Sequence, residues 1–178
     1  MSHRRSLTFG MRRARGFFSW LIRWFGAGDF SHVDMRDEQG WWWGARFGEI
    51  FADGKWWPRG FHRRPPDYCK DELWLFTIQV TEEEYHRFWD IVSHELEGLP
   101  YDWMAILAFA FPRLAMRRDW RKLKQTICSE AATYACEKAG IFERLYKRVA
   151  KVTPGDFAIM LCARKAIYAL VRPLKAAA

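Results

Sequence analysis

Apolar spacing divides the chain into a run of short elements. In "GFFSWLIRWFGAG" (16–28), Phe17, Trp20, Leu21, Trp24 and Phe25 recur along one helical face, and Gly26 and Gly28 end the pattern. The period then shortens to two. Ser31, Val33 and Met35 fall on one side of an extended segment, and His32, Asp34 and Arg36 on the other. "DEQG" (37–40) supplies a turn, a second strand starts near Trp41, and Asp53-Gly54 marks a further turn. "RGFHRRPPDYCKD" (59–71) reads as loop, because Pro65-Pro66 forbids regular structure. "ELWLFTIQV" (72–80) is the clearest strand and runs straight into a helix. Thr81 and Glu84 form its capping box, Tyr85, Phe88, Trp89, Val92 and Leu96 its apolar stripe, and Gly98 its end. A third helix starts near Asp102 and carries "WMAILAFAF"; a fourth runs from Cys128 to Gly140. "VTPGDFAIML" is a turn feeding a final strand or helix, and residues 1–15 read as a loose arm or a short strand around Leu7–Phe9. Helix, hairpin, strand, then mainly helices: this order predicts an α+β domain, a small antiparallel β-sheet packed against helices.

Composition narrows the class. The chain has 178 residues, 50% of them hydrophobic and 17% aromatic, including 11 Trp, which excludes disorder for most of the length and fits one domain with a real core. The longest near-uniform apolar run, residues 103–111, is far shorter than the about 20 residues of a bilayer-spanning helix. The basic N-terminus is followed by an apolar stretch that Arg23 interrupts and that lacks a small-residue cleavage site, so a cytoplasmic protein is expected unless another system exports it. Eleven Trp are core by default; an exposed cluster would indicate sugar or lipid contact.

The net charge of +8 is concentrated at the ends. Residues 1–28 hold six Arg and no acid, and residues 157–178 hold four Lys or Arg and no acid; residues 29–156 hold 19 basic and 21 acidic residues. A nearly neutral body argues against nucleic acid as the partner. Basic ends fit contact with an anionic surface, or simply solvated tails. Nucleic-acid binding through the Arg-rich N-terminus would require a steep salt dependence that vanishes when residues 1–15 are deleted.

The candidate chemistry starts at "KQTICSEAATYACEKAG" (124–140), where Cys128 falls in the first turn of a helix. Helix N-terminal N–H groups and the helix dipole favour a thiolate there. The four cysteines (69, 128, 136 and 162) form no CxxC pair and no zinc-spaced Cys/His cluster, so the others read as packing residues, and neither metal nor cofactor is implied. A reactive Cys128 needs a base on a rigid element. Of five histidines, His3 lies in the arm, His62 in the Pro-rich loop, and His86 and His94 on a helix that fits a solvated face; His32 alone sits on a strand, opposite its apolar side.

"IRWFGAGDFSHVD", "GARFG", "GLPYDW", "TICSEAATYACEKAG" and "VTPGDF", in that order over about residues 16–160, resemble the circularly permuted branch of the NlpC-like papain-fold thiol hydrolases, including bacterial and phage-encoded versions. In that branch the histidine strand precedes the cysteine helix, as His32 precedes Cys128 here. The resemblance implies a permuted papain-like domain over 16–160, flanked by a basic arm (1–15) and a basic extension (161–178). It implies Cys128 as nucleophile and His32 as the base of a thiolate–imidazolium pair. A third polar group, Glu49 or Asp34, would orient the histidine. Tyr101 of "PYDW" either lines the site or is a packed aromatic at a helix start. Ser129 and Glu130 read as helix caps, and the Cys128 N–H as an oxyanion donor. The implied activity is amide hydrolysis through an acyl-enzyme, with a cell-wall peptide as one substrate; lipid acyl transfer and thioester hydrolysis are alternatives on the same fold, as is a binding or structural module that has lost activity.

Overall fold

Hydrogen-bond pairing of the strands, more than any single apolar stripe, organises this chain. The structure is a computed structural model, and it describes residues 4–26, 28–68, 72–110, 124–143, 152–164 and 166–171. The elements are β1 (Arg4–Arg12), α1 (Phe17–Gly26), β2 (His32–Arg36), β3 (Trp42–Arg46), β4 (Ile50–Ala52), β5 (Lys55–Trp57), β6 (Gly60–Arg64) and β7 (Leu73–Thr81). They are followed by α2 (Glu82–Asp90), α3 (Trp103–Ala110), α4 (Cys128–Lys138), α5 (Pro154–Ala163) and β8 (Ile167–Val171). His3, Cys69, the Phe25 side chain, Phe111 and the basic residues Arg172 and Lys175 lie outside what is described.

Six strands form one antiparallel sheet in the order β6-β3-β2-β1-β7-β8, and β4 and β5 form a separate hairpin. The fold is thus α+β, with a small antiparallel sheet and a few helices. Residues 4–12, read from the sequence as a loose arm or a short strand around Leu7–Phe9, form a longer, central strand: β1 pairs with β7 along its whole length and with β2 from Thr8 to Arg12. Leu7, Phe9 and Met11 point into the core, and the intervening Arg, Ser and Thr hid that alternation. Residues 59–71 are not all loop, because β6 pairs with β3 and buries Phe61; the prolines only terminate it. The basic C-terminal segment is not a simple extension either, since α5 runs to Ala163 and β8 pairs with β7.

The main core lies between one face of the sheet and helices α2, α4 and α5. Phe9 meets Phe88 and Phe157 edge to face, and Ala131, Ala132, Ala135 and Cys136 of α4 pack with Val33 and Met35. The capping box expected at Thr81 is present, and Thr153 forms a second one at α5 with Asp156. Helix α2 continues into a π-helical stretch, Ile91–Leu96, which ends at Gly98 (φ +81°). The chain after it is tied to β6 by Gly98 N–H to Phe61 O and Phe61 N–H to Leu99 O, both 2.9 Å. Gly60 (φ +98°) permits that approach, because a Cβ there would stand 2.6 Å from the Leu99 carbonyl.

Helix α1 departs from the expected burial. Leu21 and Ile22 are its buried pair, packed with Ala105 and Ile106 of α3 and with Ile127. Phe17, Trp20 and Trp24 face outward. The tryptophan-rich segments divide similarly: Trp42 and Trp43 are buried, while Trp56 is exposed on the β4–β5 hairpin beside Phe51.

Candidate active site

Cys128 opens α4, with Ile127 at the N-cap in extended conformation (φ −107°, ψ 165°) and no side-chain cap. First-turn N–H groups there lack intrahelical acceptors. Ser129 does not cap the helix: its Oγ is buried and has no hydrogen-bond partner among the described residues. The segment leading into α4 is fixed by a two-residue parallel bridge. Asp102 N–H bonds to Thr126 O and Thr126 N–H to Pro100 O, each at 3.0 Å, which holds Tyr101 beside the helix start. Asp102 Oδ1 in turn accepts from Ala105 N–H and caps α3.

On the sheet side, Cys128 shares a buried apolar cluster with Val33, the residue after His32, and the Val33 backbone favours its thiolate. His32 and Asp34 share one face of β2, with His32 Nε2 and Asp34 Oδ1 2.7 Å apart. The carboxylate of Asp34 is also gripped by Arg12 Nε at 3.1 Å and by the Tyr68 hydroxyl, which donates to Oδ2. Arg46 donates to Tyr68 Oη at 3.0 Å and lies 4.0 Å from Asp34. The register explains the convergence: Arg12 on β1 stands opposite His32, Gly10 opposite Asp34, and Arg46 extends from β3 on the other side of β2. Gly44 leaves the space the carboxylate occupies, because a Cβ there would overlap Asp34. Arg12 and Arg46 also lie over the Tyr68 ring, at 5.2 and 5.0 Å from its centroid.

Of the residues singled out in the sequence, Cys128, His32, Asp34 and Tyr101 are brought together and Glu49 is not. Glu49 is exposed in the β3–β4 connection and makes no hydrogen bond or ion pair among the described residues. Tyr101 is half-buried, meets Phe47 edge to face and lies close enough to Cys128 for a thiolate to push its phenol upward, after burial itself. Arg12, Arg46 and Tyr68 were not foreseen. They come from three separate segments that only the sheet register unites, and a lone Arg in an alternating strand reads as surface.

Electrostatically the site is closed, and at rest its thiol and imidazole are uncharged. Cys128 is 2% exposed and His32 6%. Burial pushes the Cys128 thiol up to about 11, against the pull of the Val33 and Ser129 backbone groups and of Arg46. Burial first, then Arg46, bring His32 down to about 4 despite Asp34. Burial would raise Asp34, yet His32, Arg46 and Arg12 together hold it well below the usual carboxylate range. At neutral pH Cys128, His32 and Asp34 are therefore thiol, neutral imidazole and carboxylate, rather than the preformed ion pair implied by the resemblance. The Asp34 carboxylate fixes the tautomer: Nε2 carries the proton toward Asp34, and Nδ1 keeps its lone pair.

No known protein-family model matches the chain, and no curated protein matches it. Among the described residues no three His, Cys, Asp or Glu side chains converge as a metal site, and no helix is long and apolar enough to cross a membrane.

Proposed function

We propose that this chain is a cysteine hydrolase of permuted papain-like fold that cleaves an acyl or amide bond through an acyl-enzyme. The supporting observation is the arrangement of Cys128, His32 and Asp34: a buried helix-start thiol in one cluster with Val33 of the strand that carries a histidine, whose Nε2 is held by a buried carboxylate. The chain order, strand histidine before helix cysteine, agrees with the permuted branch.

In the reaction His32 Nδ1 takes the thiol proton as Cys128 Sγ bonds to the substrate carbonyl carbon. The carbonyl π electrons move onto oxygen, and first-turn N–H groups of α4 receive that oxyanion. Collapse breaks the bond to the leaving amine or alkoxide, which takes the proton back from His32 and leaves a thioester on Cys128. Water, deprotonated by His32, then attacks the thioester, and the thiolate leaves with the proton. Asp34 compensates the imidazolium charge during both proton transfers, and Arg12 and Tyr68 keep the carboxylate in place. Because burial opposes ionisation at rest, the base acts in concert with attack rather than through a standing thiolate.

The reading is tested by the intact mass of the chain after incubation with p-nitrophenyl acetate. The wild type should gain one acetyl group, located on Cys128 by peptide mapping, and Cys128→Ala should gain none. The same burial favours a second reading, a non-catalytic module of this fold, for which an unmodified Cys128 under those conditions is the expected result.

A further inference from the structure

The outward face of α1 is assigned no part in the chemistry above. Phe17 (67% exposed), Trp20 (48%) and Trp24 (69%) form a continuous stack, with centroids 6.1 and 5.7 Å apart and rings inclined by 29° and 24°. Three large rings held side by side toward solvent are a sizeable exposed apolar surface. The helix cannot rotate to bury them, because Leu21 and Ile22 on its other side are locked against α3. Helix α3 adds the half-exposed Trp103 and the exposed Met104. Cations accompany these rings. Arg13 and Arg15 are exposed just before α1, and Arg23 follows Trp20 by three residues on the helix, a neighbouring surface position.

We propose that the α1–α3 face docks in the interface of an anionic lipid bilayer, with the Phe17–Trp20–Trp24 stack among the acyl-chain boundary groups and the arginines at the phosphates. Aromatic rings on one side with Arg at the flanks fit the headgroup level of a bilayer, where apolar insertion and attraction to anionic lipid add. A second protein would need a shaped apolar counterpart; a bilayer needs only this composition. Nucleic acid would engage the arginines but leave the helix-presented stack without a reason to be exposed. The face adjoins the candidate site, since Tyr101 packs against the same Leu21–Ile106–Ile127 cluster.

The test is co-sedimentation of the full chain with vesicles of phosphatidylcholine alone and of phosphatidylcholine with phosphatidylglycerol. Binding should require phosphatidylglycerol and weaken as salt rises from about 0.05 to about 0.5 M. Trp20→Ser with Trp24→Ser should lower the partition coefficient by roughly tenfold or more, and Arg13→Ser with Arg15→Ser by roughly thirtyfold. These exposed positions leave the core untouched, and an unchanged circular dichroism spectrum verifies folding. Cys128→Ala should bind as the wild type does, so the result stands apart from the fate of the hydrolase reading. Equal binding to both vesicle types, no binding to either, an unaffected Trp20/Trp24 variant, or displacement of the chain from vesicles by duplex DNA would each overturn the proposal.

Discussion

At the residue scale, Asp34 is the pivot of the site, and its environment explains both what it does and why the sequence half revealed it. It was legible as a candidate because it lies two positions from His32 on the same strand face. The choice over Glu49 was not legible, since it depends on Gly44 making room and on Arg12, Arg46 and Tyr68 arriving from β1, β3 and the chain after β6. Gly44→Ala should therefore displace the carboxylate and destabilise the fold by about 1–3 kcal/mol, the usual cost of overpacking, visible as a lower urea midpoint. Tyr68→Phe removes the hydrogen bond that the hydroxyl gives to Asp34 and the one it takes from Arg46, and should cost at least about 1.5–3 kcal/mol in the same measurement. Reactivity follows the same logic. Iodoacetamide should alkylate Cys128 with a midpoint above the free-thiol value of about 8.5, in keeping with its upward shift to about 11; a midpoint below 7 would mean that a standing thiolate exists.

At the scale of elements, local signals worked where local physics decides. The Thr81 capping box, the β7 alternation and the start of α4 at Cys128 all follow from neighbouring residues. Thr81→Ala should accordingly cost about 1 kcal/mol in thermal unfolding, with little effect on the site. Signals failed where pairing or packing decides. β6 looked like loop because "FHRRPP" offers one core residue, Phe61, and its strand character comes from the ladder with β3. β1 was legible only as an arm or a short strand around Leu7–Phe9, because its basic residues obscured how far the alternation of Leu7, Phe9 and Met11 extends. In α1 the aromatics were counted as the buried stripe, yet the helix meets α3 through Leu21 and Ile22. A hydrophobic pattern reports which residues dislike water, not which of them the fold covers.

For the whole molecule, burying His32 and Asp34 links folding to pH. His32 titrates near 4 in the fold and near 6.5 when unfolded, so the unfolded chain binds more protons between those values. Stability should be fully present above pH 6.5 and fall by about 3 kcal/mol on acidification to pH 4. The contribution of Asp34, whose folded value is depressed, is lost only at lower pH still. His32→Gln should flatten the first of these windows in a series of urea titrations. The central claim, that Cys128 and His32 act together, is tested most directly by the pH dependence of Cys128 acetylation in wild type and His32→Ala. General-base attack predicts a wild-type rate that has already risen by pH 5, following the His32 value of about 4, and stays nearly flat at neutral pH. In the variant the rate at pH 7 should fall by about 10²–10⁴-fold and climb with pH toward the thiol's own ionisation near 11. Superimposable profiles would contradict the account, leaving Cys128 a core residue that happens to begin a helix.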